Sequence, residues 1–363
     1  MHSKPRLQPT SSLPDPGFEI GWDFAHHRLV PPAEQLLQGN PVRDGWQAGQ
    51  SAFGSRTLRA TPQVRKWLQL RLGAWMRGKS FDLEGVTPNF LEQIESEVCP
   101  IMGLTLTRGT GTLTDASVDR VNNQAGYAAG NLAVMSVRAN RAKAAYDWRD
   151  AAEFVRQIER GQLGEIDGLT ARQWARLAAL MSFCTPLSHS EAANLPLLVL
   201  PPPRLQLLNP VQVVQATLTA CFARTGKAPK VDSLVRHFPA PVQCEVRALL
   251  TTLLARKISA GPSATAIQLR SALETAWCAP AVLRRWRCVA LQMNATVCET
   301  VVANLSGAAG SMAPMGCLGF AQATKGWALG SKGAALLPPR SGQESARGVT
   351  RIDRSAEIRM MDL

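Results

Sequence analysis

The chain has 363 residues, 45% of them hydrophobic, with a formal net charge of +13 and a pI near 9.9. That length and apolar content support two or three packed domains and exclude a disordered chain. The excess of Lys and Arg favours an anionic partner, nucleic acid first and an anionic membrane surface second.

The first thirteen residues are polar and Pro-rich, without the apolar core of a signal peptide. The longest uncharged run, residues 300–324, is broken by Asn304, Pro314 and Gln322, so no membrane span is expected. The eight cysteines stand singly, with no Cys-x-x-Cys pair. This pattern excludes a zinc ribbon and predicts reduced, mostly buried thiols in a cytoplasmic protein.

Residues 1–60 are rich in Pro and Gly and are expected to be irregular, docked by Trp22, Phe24, Trp46 and Phe53. Thr61-Pro62 is a helix start, a capping hydroxyl followed by Pro at the first helical position. Val64, Leu68, Leu72 and Trp75 then recur on one face to about Gly78. Between Arg56 and Lys79 lie seven basic residues and no acid, including Arg65, Lys66 and Arg71. The stretch reads as a phosphate-facing helix or as a solvated polar face. Thr87-Pro88 repeats the start signal for a helix ending near Cys99-Pro100. Residues 103–114 read as a hairpin or loop. Asp147 caps a helix over 148–160. Beyond Gly164 the pattern is helices broken by Pro, over about 170–183, 209–224, 242–258, 265–277 and 280–293. The stretch from Ser306 is Gly/Ala/Ser-rich and is expected to be poorly ordered.

Between 117 and 143 the signals change. Residues 117–121 and 132–136 read as short strands. Asn122-Asn123-Gln124-Ala125-Gly126 is a turn cluster, and Asn131 is placed to bond nearby backbone and pin the connection. A helix carrying Arg138, Asn140, Arg141 and Lys143 follows. The order is strand, loop, strand, helix.

This run, Asp119-Arg120-Val-Asn122-Asn123 with Gly126-Tyr127, Gly130-Asn131 and Asn140-Arg141-Ala-Lys143, resembles the ββα-metal motif of HNH endonucleases. Cys99-Pro100-Ile-Met-Gly103 is similar to the lead-in of the same relatives. The resemblance covers roughly residues 97–145. It implies a metal-dependent DNA endonuclease, with Mg2+ or Mn2+ held by Asp119 and Asn140. Hard cations of this kind take oxygen ligands and stabilise charge on a scissile phosphate. Asn131 falls at the loop-ordering asparagine of that motif. Arg138, Arg141 and Lys143 fall where flanking phosphates would be contacted.

One position departs from the family. The residue after the acid is ordinarily a histidine that activates water, and here it is Arg120. A guanidinium stays protonated and is no ordinary base, although it can clamp a phosphate. Asp115 and the Asp23-x-x-His26-His27 cluster are the candidate replacements. His189 and His237 read as structural. Arg284-Arg285-Trp286-Arg287 reads either as a base-stacking cluster or as a core Trp with arginines reaching outward.

The expected architecture is α+β and predominantly α-helical. It comprises an irregular segment (1–60), basic helices with the HNH-like ββα unit (61–146), a helical domain (147–305) and a tail (306–363). Two alternatives accompany the nuclease reading. One is a catalytically inactive nucleic-acid-binding protein on the same scaffold. The other is a helical protein–protein adaptor.

Overall fold

The computed structural model describes residues 15–161, 163–308 and 316–335. The chain is mostly helical with one two-stranded sheet. It divides into two compact units between Glu92 and Gln93, not at the expected boundaries near 60 and 146. Among the described residues no helix is long and apolar enough to cross a membrane.

The first unit contains α1 (Pro16–His26), α2 (Pro41–Phe53) and α3 (Pro62–Met76), with the short α4 (Pro88–Gln93) at its end. One local device starts the three longer helices. Asp15, Asn40 and Thr61 each accept a backbone N–H of the first turn, and each is followed by Pro at the first helical position. The region expected to be irregular is therefore helical in its described part.

Glycine misleads there because it is normally a helix breaker. In α1 and α2 it is a contact residue. A Cβ on Gly21 would lie 1.9 Å from the Val42 carbonyl oxygen, and one on Gly45 would lie 1.9 Å from that of Phe18. Gly49 meets Trp22 and Ala25 in the same seam. The two helices touch backbone to backbone, and no larger residue fits.

The second unit opens with a turn over Cys99–Gly103 and a threonine-rich loop. β1 (Ala116–Arg120) then pairs antiparallel with β2 (Leu132–Ser136), Ala116 opposite Ser136 and Arg120 opposite Leu132. α5 (Val137–Lys143) follows without a linker, capped by the Ser136 hydroxyl. α6 (Trp148–Glu159) and α7 (Ala171–Phe183) pack together around Tyr146, Phe154 and Trp174.

The remaining helices are α8 (His189–Asn194), α9 (Pro210–Phe222), α10 (Val231–Val235), α11 (Gln243–Ser259), α12 (Ala266–Ala276), α13 (Pro280–Ala290) and α14 (Ala295–Ala308). α9 is buried along almost its whole length and is packed by α8, α11, α12 and α14. It is the shaft of the helical half.

The expected tail is partly built. Residues 316–335 hold the short α15 (Phe320–Ala323) and dock through Trp327, whose indole is fully buried. Its Nε1 donates to the Ala129 carbonyl at 3.0 Å, and its own carbonyl accepts from Gly126 N at 2.7 Å. A single aromatic anchor in a Gly/Ala-rich stretch carries no periodic signal. Residues 309–315 and 336–363 lie outside the described residues.

The helix seam of the first unit gives a direct test. Gly21→Ala should lower stability by about 1–3 kcal/mol, the cost of overpacking a close contact. A thermal melt with an unchanged midpoint would show that α1 and α2 do not meet at this glycine.

Candidate functional site

Ser117 and Asp119 are two apart on β1 and share one face of the strand. Asn140 and Lys143 are three apart on α5 and share one face of the helix. The two faces meet. Asn140 Nδ2 donates to Ser117 Oγ at 2.8 Å, and Lys143 Nζ lies 2.9 Å from Asp119 Oδ2.

Lys143 is the centre of this contact. Its side chain is 0% exposed and that of Asp119 is 13% exposed. Besides Asp119, the ammonium donates to the Arg120 carbonyl at 2.8 Å and to Asn123 Oδ1 at 3.0 Å. Two hydrogen bonds and one ion pair therefore surround the ammonium. The contact to Asp119 lies off the hydrogen-bonding direction, so that oxygen is neutralised in charge but accepts no aligned hydrogen bond.

This arrangement bears on the implied metal. Oδ2 of the carboxylate that would hold a divalent cation faces a buried ammonium, whereas Asn140 is held by Ser117 through Nδ2 and its amide oxygen has no hydrogen-bond partner among the described residues. A divalent ion roughly 4 Å from that ammonium would be opposed by about 8 kcal/mol at an effective dielectric near 20. As arranged, the Lys143 ammonium opposes a divalent cation at Asp119.

Arg120 turns inward. Its guanidinium donates to the Ala125 carbonyl at 2.9 Å and lies 5.1 Å from the centre of the Tyr127 ring. It braces the 121–131 loop and is not presented as a phosphate clamp. Asn131 is fully buried and holds the same loop from inside. Its Oδ1 accepts from Asn122 N at 2.8 Å, and its Nδ2 donates to the carbonyls of Asn122 and Gly126.

Asp115 is also engaged. Partial burial works against its charged form, but hydrogen bonds from the Thr107 and Thr110 hydroxyls and the Thr110 and Gly111 N–H groups outweigh it, holding the carboxyl below its usual value. The loop it organises caps α5, because the Asp115 and Leu113 carbonyls accept from Val137 N and Arg138 N. Cys99 completes this cap, its buried sulfur accepting from Ser136 N.

The proposed phosphate contacts separate into three groups. Arg65 and Arg141 are exposed, and their side chains make no ion pair or hydrogen bond among the described residues. Lys66 is half-buried. Arg138 is partly exposed, donates to the Gly168 carbonyl and lies 3.8 Å from Glu165, whereas Lys143 is buried in the ion pair and is not presented to a phosphate.

In the first unit the Asp23–His26–His27 cluster is structural. Asp23 pairs with buried Arg71, itself stacked on Trp67, and His26 stacks on Phe53. Burial, with a contribution from His26, lowers the pKa of His27. Arg71 is thus not part of a phosphate-facing surface. His189 bonds the Ala290 carbonyl at 2.8 Å.

Comparison with known proteins gives no match to a family description, a curated protein or a solved structure.

The buried pair has a measurable consequence. Lys143→Met strands the Asp119 carboxylate and should cost about 3–5 kcal/mol, with Asp119→Asn in the same chain restoring a large part of it. Urea melts in which the single variant equals the wild type would show that the ion pair does not hold this unit.

Proposed function

We propose that this chain binds duplex DNA and does not cut it, on a strand–loop–strand–helix unit in which Lys143 neutralises the acid that a nuclease would give to its metal. The observation that carries this reading is the Lys143–Asp119 contact at 2.9 Å inside the unit. The net charge of +13 supports a polyanionic partner, and the exposed, unpaired Arg65 and Arg141 supply phosphate contacts.

A second reading is a metal-dependent endonuclease using Mg2+ or Mn2+. It is favoured by the packing of α5 on the strand face that carries Asp119, the order expected of the HNH-like motif. It requires Lys143 to leave the carboxylate.

One pair of assays separates them. A labelled duplex should bind with an affinity that falls steeply, by about tenfold or more, between roughly 50 and 200 mM salt. Plasmid incubated with magnesium or manganese should stay uncut. Metal-dependent nicking abolished by Asp119→Ala would establish the second reading. Neither binding nor cutting would leave the adaptor reading.

A further inference from the structure

The helical half contains a second feature that the hairpin–helix unit does not explain. α12 and α13 each have eleven residues and are joined by three, Trp277, Cys278 and Ala279. The turn is tight: Trp277 N, Cys278 N and Ala279 N donate to the carbonyls of Glu274, Thr275 and Ala276. Both helices pack on α11. The shared core is apolar, with Leu249, Leu250 and Leu253 from α11, Leu273 from α12 and Val282 and Val289 from α13 all buried. Trp277 in the turn meets Trp286 of α13 edge to face, with ring centres 5.7 Å apart, and both are buried.

Trp286 is thereby a core residue and not a base-stacking one, so α13 has a fixed rotation. Its outer face carries Ala281, Arg284, Arg285 and Cys288, all exposed. Neither Arg284 nor Arg285 has an ion-pair or hydrogen-bond partner among the described residues. Arg287, half-buried, instead braces the helix against α8 through the Asn194 carbonyl at 3.4 Å. No acidic residue occurs between 275 and 298.

Two helices joined by a short turn, backed by a third, with a basic outer face on the second, is the arrangement that presents a helix to the major groove. We infer that α11–α12–α13 is a helix-turn-helix module and that α13 enters the major groove of duplex DNA, with Arg284 and Arg285 at the phosphates or base edges. The inference rests on the DNA-binding reading above but places the contact on a different surface. Ala281, small and exposed in the first turn, leaves the leading end of α13 free to approach base edges. An arginine pair on an exposed helix face can be replaced without disturbing the core beneath.

The test uses the full chain and one labelled duplex. Arg284→Ala with Arg285→Ala should leave the melting midpoint unchanged and weaken binding about tenfold at moderate salt. It should also flatten the slope of log K against log salt by about two, one for each lost phosphate contact. Methyl green, which fills the major groove, should displace the wild-type protein, whereas the minor-groove ligand netropsin should not. If the wild type binds and the double variant binds equally well with the same slope, the module is not a contact surface although the DNA-binding reading survives. Displacement by netropsin and not by methyl green also overturns the placement of α13. If the wild type binds no duplex, both proposals fall.

Discussion

A fully buried ammonium has no water to satisfy its protons, so its surroundings must do so, and the structure around it is constrained accordingly. Lys143 meets this demand with hydrogen bonds to the Arg120 carbonyl and Asn123 Oδ1, and the Asp119 carboxylate balances its charge. These partners come from the end of β1 and the start of the connecting loop, while the lysine comes from the last turn of α5. One side chain therefore fixes strand, loop and helix to each other. Asn123 extends the network by donating to the Ala144 and Tyr146 carbonyls, which sets the exit from α5.

The loop between the strands depends on the same constraint. Asn131 holds it from within, Arg120 braces it through the Ala125 carbonyl, and Trp327 covers it from a segment almost two hundred residues away. Asp119 faces the Lys143 ammonium, Asn140 donates to the Ser117 hydroxyl and Arg120 donates to backbone, so each is engaged by the protein's own groups. Exposed cations lie elsewhere, among them Arg141, Arg65 of the first unit and the arginines on the outer face of α13.

Much of the local structure was legible in the sequence because its signals are local. Thr61-Pro62 and Asp147 mark helix starts by chemistry that acts within one turn, and the structure places α3 and α6 there. The two strands follow from the turn residues between them, and Asn131 from its capacity to bond backbone on both sides. The rest depends on contacts distant in sequence. Gly21 and Gly45 read as breakers until their helices are seen to touch, although Asp15-Pro16 and Asn40-Pro41 carried the same start signal as Thr61-Pro62. Trp327 gives no sign of its partner. Lys143 looked like one more cation on a basic helix, because sequence spacing shows which residues share a face but not which face is buried.

The central claim is that Lys143 occupies the charge environment that a catalytic metal would need. Manganese binding to the full chain, followed by electron paramagnetic resonance at neutral pH, addresses it most directly. The expected result is no stoichiometric site of the protein's own, with the spectrum of added Mn2+ remaining that of the free aqueous ion in the wild type and in Asp119→Ala alike. A single bound Mn2+ per chain that disappears in Asp119→Ala would contradict the account and return Asp119 to the role of a metal ligand.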